Sequence, residues 1–320
     1  MVPRPTLIAV LIGVEVAILY GMVVALGIGS SAPSIGFPGA PSGPSGLTFS
    51  SPQSFAVGNH PALAIDVGMA DVTIDTHAAA RIDVAVSDGM HHVGSSVPII
   101  ARADGDTVRI SANETDFWSF LGDSRIVNIS VPPATAVSIL NAGNVTATGL
   151  RADASIVSGA HFHDSDGIRV RDFKGTLSAT TAGGRVEITD ADCPELQIAA
   201  ADGRVRLTRV QAQNIDASSS NGRVDGTDVQ LRNGSVTSAN GRVSLQFASG
   251  TDTTVTAGAA NGHIDVSGFA ARPAKFAQSD GDDEDDDDDS ASAQTIRVGA
   301  GSGRLDVHAS NGSIYLSQEG

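Results

Sequence analysis

Gly184-Arg185-Val186-Glu187-Ile188, Gly203-Arg204-Val205-Arg206-Leu207, Gly222-Arg223-Val224-Asp225-Gly226 and Gly241-Arg242-Val243-Ser244-Leu245 repeat one phrase at intervals of 19 residues. Variants follow at Gly262-His263-Ile264-Asp265-Val266, after a gap of 21 residues, and at Gly303-Arg304-Leu305-Asp306-Val307. A shorter echo, Gly312-Ser313-Ile314-Tyr315-Leu316, closes the series. A fixed period of this size marks structural units that stack, none of which can bury its apolar face alone. Inside the phrase the side chains alternate, so Val faces one side of a strand while Arg and the residue after Val face the other.

Each unit also carries an earlier strand. The seventh and fifth residues before the glycine are apolar or small: Leu177 and Ala179, Leu196 and Ile198, Ile215 and Ala217, Val255 and Ala257, Ile296 and Val298. About four inward side chains per rung, at about 1.5–3 kcal/mol each when well buried, cannot hold one rung folded, but stacked rungs share a continuous core. Asn221, Asn240, Asn261 and Asn311 precede marker glycines, and Asp202 precedes another. Asn and Gly tolerate the left-handed backbone of a sharp corner, and stacked asparagines can bond from rung to rung. Gly226 stands where an apolar residue belongs and points to a kink or bulge. The expectation is an all-β chain, a parallel β-helix-like solenoid of rungs of about 19–21 residues, preceded by one transmembrane helix.

That helix is read from Leu7 to Ile28, 22 almost wholly apolar residues, enough to span a bilayer core of about 30 Å. Arg4 precedes it and no Lys or Arg follows until Arg81, which places the N-terminus in the cytoplasm and the remainder in the periplasm or outside. A cleaved signal ending near Ser30-Ser31-Ala32 is the rival reading, and it exports the chain equally; the length of the apolar run favours an uncleaved anchor. Gly13, Ala17, Gly21 and Ala25 form a stripe of small residues suited to helix–helix contact and a homo-oligomer. Glu15, about 200° around the helix from Gly13, is an intramembrane acid of the kind that usually has a partner. The organisation is therefore a stub and anchor over residues 1–30, a Pro/Gly/Ser-rich tether over 31–53, and a β domain over 54–320. Within that domain, 54–138 reads as a β-rich lead-in and 139–320 as regular rungs, interrupted by a disordered acidic loop at 272–294.

The net charge is −16, but nine acids lie between Asp280 and Asp289, and the rest of the chain has no basic surplus to drive sequence-independent nucleic-acid binding. The acidic run lacks the ligand order of a calcium loop and suits only diffuse cation binding. Cys193 is the only cysteine, so packing and backbone hydrogen bonds must hold the fold.

From residue 55 onward the layout resembles the bacterial putative-adhesin family of unknown function, similar to autotransporter adhesin heads. The resemblance rests on a β-rich lead-in, the segment Ile129-Ser130-Val131-Pro132, and rungs such as Gly143-Asn144-Val145-Thr146-Ala147 leading to Thr148-Gly149-Leu150. It implies a β-solenoid in the periplasm or on the cell surface. It carries over no catalytic residues, and the acidic insertion departs from its pattern.

The candidate chemistry is sparse. Arg185, Arg204, Arg223 and Arg242 form an outward row, continued by His263 and Arg304, that could grip an anionic polymer or glycan. Glu187, Asp225, Asp265 and Asp306 lie two residues along and can neutralise it. His161 and His163 with Asp164 and Asp166 are a weak metal candidate without a further ligand, and His91-His92 is weaker still. Asp225 and Asp265, expected about 10 Å apart, sit at or beyond the separation a glycosidase needs. No cofactor motif, nucleophile elbow or metalloprotease helix occurs. The reading is a non-enzymatic, single-pass bacterial envelope protein with an adhesin-like binding scaffold. One alternative is an accessory or sensor protein that contacts an envelope partner through its helix; another is a β-helix enzyme acting on polysaccharide.

Overall fold

The computed structural model describes residues 52–68, 70–88, 99–112, 125–159, 167–269, 274–275 and 292–318. The proposed anchor with Gly13, Ala17, Gly21, Ala25 and Glu15, the tether before Pro52, and the acidic run lie outside them. So do His91, His92, His161, His163, Asp164 and Asp166. Every element among the described residues is a strand.

Backbone pairing stacks the repeats as expected. Val186, Val205, Val224 and Val243 pair in register, parallel, each one repeat from the next. Leu177, Leu196 and Ile215 do the same on the back of the coil. All seven are fully buried. Parallel strands covered on their inner side by the opposite face of the same coil make a solenoid-like, all-β body.

The rung itself has more sides than the two-strand expectation. Strand Arg185–Asp202 buries Val186 and Ile188, then Ala191 and Cys193, then Leu196, Ile198 and Ala200. The inward alternation skips phase at Asp190, which adopts φ 56°. Asp172, Arg209 and Asp228 hold the same left-handed bend in neighbouring rungs, at φ 49°, 51° and 55°. A polar column thus turns the chain onto a short third side. Two of its charges are paired: Arg209 Nε lies 2.5 Å from Asp190 Oδ1, and Arg151, from outside the column, brings Nη2 to 2.7 Å from Asp172 Oδ2.

The marker glycines answer to a different constraint from the one their motif suggests. Of this column only Gly184 has a positive φ, 85°, and none of the preceding asparagines does. A Cβ on Gly203, Gly222, Gly241, Gly312 or Gly262 would instead lie 1.6–2.1 Å from the carbonyl oxygen of the glycine in the adjoining rung. Close stacking, not left-handed backbone, demands glycine here. Buried serines complete the corner: Ser219 Oγ donates to Gly203 O at 3.0 Å and Ser238 Oγ to Gly222 O at 2.9 Å. The amide ladder forms as expected, through Asn221 to Asp202 at 2.5 Å, then Asn240 to Asn221, Asn311 to Asn240 and Asn261 to Asn311, each at 2.8 Å. Gly226 lies at a register shift, and a side chain there would strike Leu245 and Val229 of the packed core.

The order of rungs departs from the order of the chain at both ends. Ile314 pairs with Val243 on one side and Ile264 on the other, so the last rung is inserted before the one that precedes it in sequence. Leu305 pairs with Gly234 and Val255, which puts the Gly303 phrase on the back face. Gly312, the short echo, is the true marker of that rung. Likewise strands Ala62–Asp66 and Asp71–Thr76 are inserted between Thr107–Ala112 with Arg125–Val131 and Ala136–Asn141 with Val145–Thr148. Residues expected as a lead-in therefore supply rungs of the same stack. Antiparallel strands flank it: Ile99–Asp104 and Arg81–Asp88 at one end, Ser292–Val298 against Thr253–Asn261 at the other. Ala274–Lys275 and Ser292–Gln294, expected within the loop, belong to strands.

The glycine column gives a stability test. Gly222→Ala must push two rungs apart and should cost about 1–3 kcal/mol or more, seen as a lower urea midpoint with unchanged slope. A second test uses pH. Burial beside Gly258 holds the His308 imidazole below the usual histidine range. The folded state then takes up this proton less readily than the unfolded chain, so stability is complete above pH ~6.5 and falls as pH drops through that value. Denaturant midpoints measured on either side should differ in that direction, and His308→Gln should reduce the difference.

Candidate functional site

The outward row is assembled by the register just described. Val186, Val205 and Val224 N–H groups donate to the carbonyls of Arg204, Arg223 and Arg242, each at 2.9 Å. The four arginines therefore recur once per rung, at a strand spacing of about 4.8 Å. Val243 N donates to Ser313 O and Ile314 N to His263 O, so the lane continues through Ser313 to His263. Arg304 is not part of it: it sits on the back face, 3.4 Å from Asp306.

A second lane runs alongside, two residues on. It reads Arg169, Glu187, Arg206, Asp225, Ser244, Tyr315, Asp265. Neutralisation of the first lane is partial. Asp225 Oδ2 lies 3.3 Å from Arg223 Nε and 3.8 Å from Arg204 Nε. Glu187 instead pairs with Arg169 at 3.3 Å. The buried Nε of Arg185 has no hydrogen-bond partner. Arg242 stacks over the Tyr315 ring, 4.8 Å from its centroid. On the far side of that ring, His263 Nε2 lies 3.1 Å from Tyr315 Oη, and Nδ1 lies 3.0 Å from Ser313 Oγ.

Sequence order alone does not place Tyr315 and Ser313 in the row, because they are 71 residues or more from Arg242. The echo Gly312-Ser313-Ile314-Tyr315-Leu316 is the signal that places them. The same insertion corrects the carboxylate spacing. Ser244 and Tyr315 both intervene between Asp225 and Asp265, which puts three strand steps, about 14 Å, between them. That exceeds the 10 Å expected from sequence order and lies well beyond the working separation of a glycosidase pair.

The short third side carries a half-open groove of about 280 Å³, walled by Asp192, Gln211, Gln230, Arg232 and Asp252 over Cys193, Ala212 and Leu231. Gln230 donates to Ser249 O at 3.4 Å, and Asp252 accepts from Ser302 Oγ at 2.5 Å. Among the described residues no group of three or more His, Cys, Asp or Glu is placed to hold a metal ion.

The Toastrack DUF4097 family model matches residues 60–317. The chain belongs to that family. The resemblance carried by the rungs and by Ile129-Ser130-Val131-Pro132 thus holds for this Toastrack chain. A "putative cell adhesion protein" from Clostridium sporogenes is similar at 9% identity and TM-score 0.27, covering 84% of this chain and 99% of the other. A "putative adhesin" from Bacteroides fragilis shares 13% identity at TM-score 0.41, with 84% and 96% covered. A "putative lipid binding protein" from Parabacteroides distasonis shares 12% at TM-score 0.43, with 84% and 94% covered. Likeness at this level bears on neither ligand nor partner. No curated protein matches.

Burial, assisted by the neighbouring Asp192, pushes the Cys193 thiol up to about 12. In the native protein near pH 8 this sole thiol should resist iodoacetamide, and it should react fully once the chain is unfolded; rapid native labelling would mean that the third side opens.

Proposed function

We propose that this Toastrack chain is a non-enzymatic binding scaffold of the bacterial envelope, which grips an anionic polymer along its arginine lane. The observation that carries this reading is a local reversal of charge. The two adjoining lanes, from Arg169 to Arg242, present six guanidiniums against two carboxylates on a chain whose net charge is −16. Arg204 and Arg223 keep 31% and 42% of their side-chain surface exposed, so their planar forks remain open to bidentate bonds with an oxyanion. A rigid stack of rungs supplies the regular spacing that a polymer can match without ordering the protein first.

The same reading assigns the apolar run Leu7–Ile28 to a membrane anchor, with the cytoplasmic N-terminus before it and the rungs held outside by the tether. The small-residue stripe from Gly13 to Ala25 would let two anchors associate, bringing two lanes to one ligand. The carboxylate separation favours binding over hydrolysis: Asp225 and Asp265 lie about 14 Å apart, and Glu187, two strand steps or about 10 Å from Asp225, is already paired with Arg169.

Replacement of Arg185, Arg204, Arg223 and Arg242 by Ser in the full chain tests the reading. Binding to immobilised anionic polymers at about 0.15 M salt should weaken at least tenfold and the wild-type binding should fall with added salt. Unchanged binding would reduce the lane to structural surface.

A further inference from the structure

Resting on the reading of the lane as a polyanion site, we infer that its ligand is a linear acidic polysaccharide with one carboxylate per sugar and free hydroxyls, and not a dense polyanion. The two lanes differ in their pattern of charge. The first, Arg185 to Arg242, is cationic at every rung. The second alternates in sign through Arg169, Glu187, Arg206 and Asp225. A ligand lying along the stack therefore meets donors alone on one edge, and donors and acceptors in turn on the other.

Carboxylates answer the first edge and hydroxyls the second. A hydroxyl both donates and accepts, so it can satisfy Glu187 or Asp225 at one rung and Arg206 at the next. A polyphosphate or a heavily sulfated chain offers no donor to Glu187 and Asp225 and would be repelled by them, which is selection by an unfavourable contact. The spacing agrees. Guanidiniums recur at the strand spacing of about 4.8 Å, so a linear polymer with one charge per residue can meet several of them at once. At the end of the lanes Tyr315, with one face under Arg242 and its hydroxyl on His263, marks where the cationic edge stops.

The test measures binding of the full chain to an oligogalacturonate of about eight sugars, to its methyl ester and to polyphosphate of similar charge, at about 0.15 M salt. Oligogalacturonate should bind at least tenfold more tightly than either, and Arg204→Ser with Arg223→Ser should abolish that preference. The acid pair separates the ligands: Glu187→Gln with Asp225→Asn should weaken oligogalacturonate while strengthening polyphosphate. Circular dichroism confirms that each variant keeps its strands. Polyphosphate binding as tightly as oligogalacturonate, with the acid variants indifferent, would overturn this inference and leave the arginine lane standing as a general polyanion site. Failure of all three ligands to bind would remove both.

Discussion

The distance between neighbouring rungs at the marker glycine governs the rest of the molecule. Carbonyl oxygens of one corner pass so close to the next corner that Gly203, Gly222 and Gly241 have no room for a Cβ. That approach permits the parallel register that lines up Val186, Val205, Val224 and Val243, and the register aligns the side chains outside it. Serine hydroxyls satisfy the crowded carbonyls, asparagine amides bridge the corners, and the valines beneath form one apolar column. A buried carbonyl without a donor would cost about as much as a lost hydrogen bond, so the serine column is part of the same solution.

Surface chemistry follows from this register. Side chains that would be scattered on a globular fold are brought into lanes, where charge at one rung often lies next to charge at another. On the left-handed bend Asp190 and Arg209 resolve this by pairing across rungs. On the marker face the resolution is incomplete: Asp225 serves two arginines and Arg185 is left with an orphaned nitrogen. Charge on the marker face is thus less fully paired than charge on the bend.

Insertion of the first and last rungs into the stack has a further consequence. Each terminal rung gains a parallel neighbour on both sides, and antiparallel strands are left to flank the stack. Strand edges are where coils pair with foreign chains, and an antiparallel flank changes the pattern of hydrogen-bonding groups such an edge presents. The insertion also builds the end of the lane, since it is the last rung that brings Ser313 and Tyr315 beside Arg242 and His263.

Much of this was legible in the residues alone. The 19-residue period, the inward valines, the outward arginines and the asparagine ladder all follow from local alternation and repetition, which a chain displays directly. Three things did not. The reason for glycine at the corner is a contact between residues a full rung apart, and the motif reads the same whether glycine is needed for its backbone or for its lack of a side chain. The left-handed bend is held by Asp172, Asp190, Arg209 and Asp228; Asp tolerates that backbone, but it also stands at many positions that do not bend, so the column is not marked out in the sequence. The place of the last rung depends on which partner Ile314 and Leu305 choose among equivalent strands. Period and alternation determine that this chain forms rungs and which face each side chain takes. Only long-range backbone pairing decides the order in which rungs stack, and with it which residues share a lane.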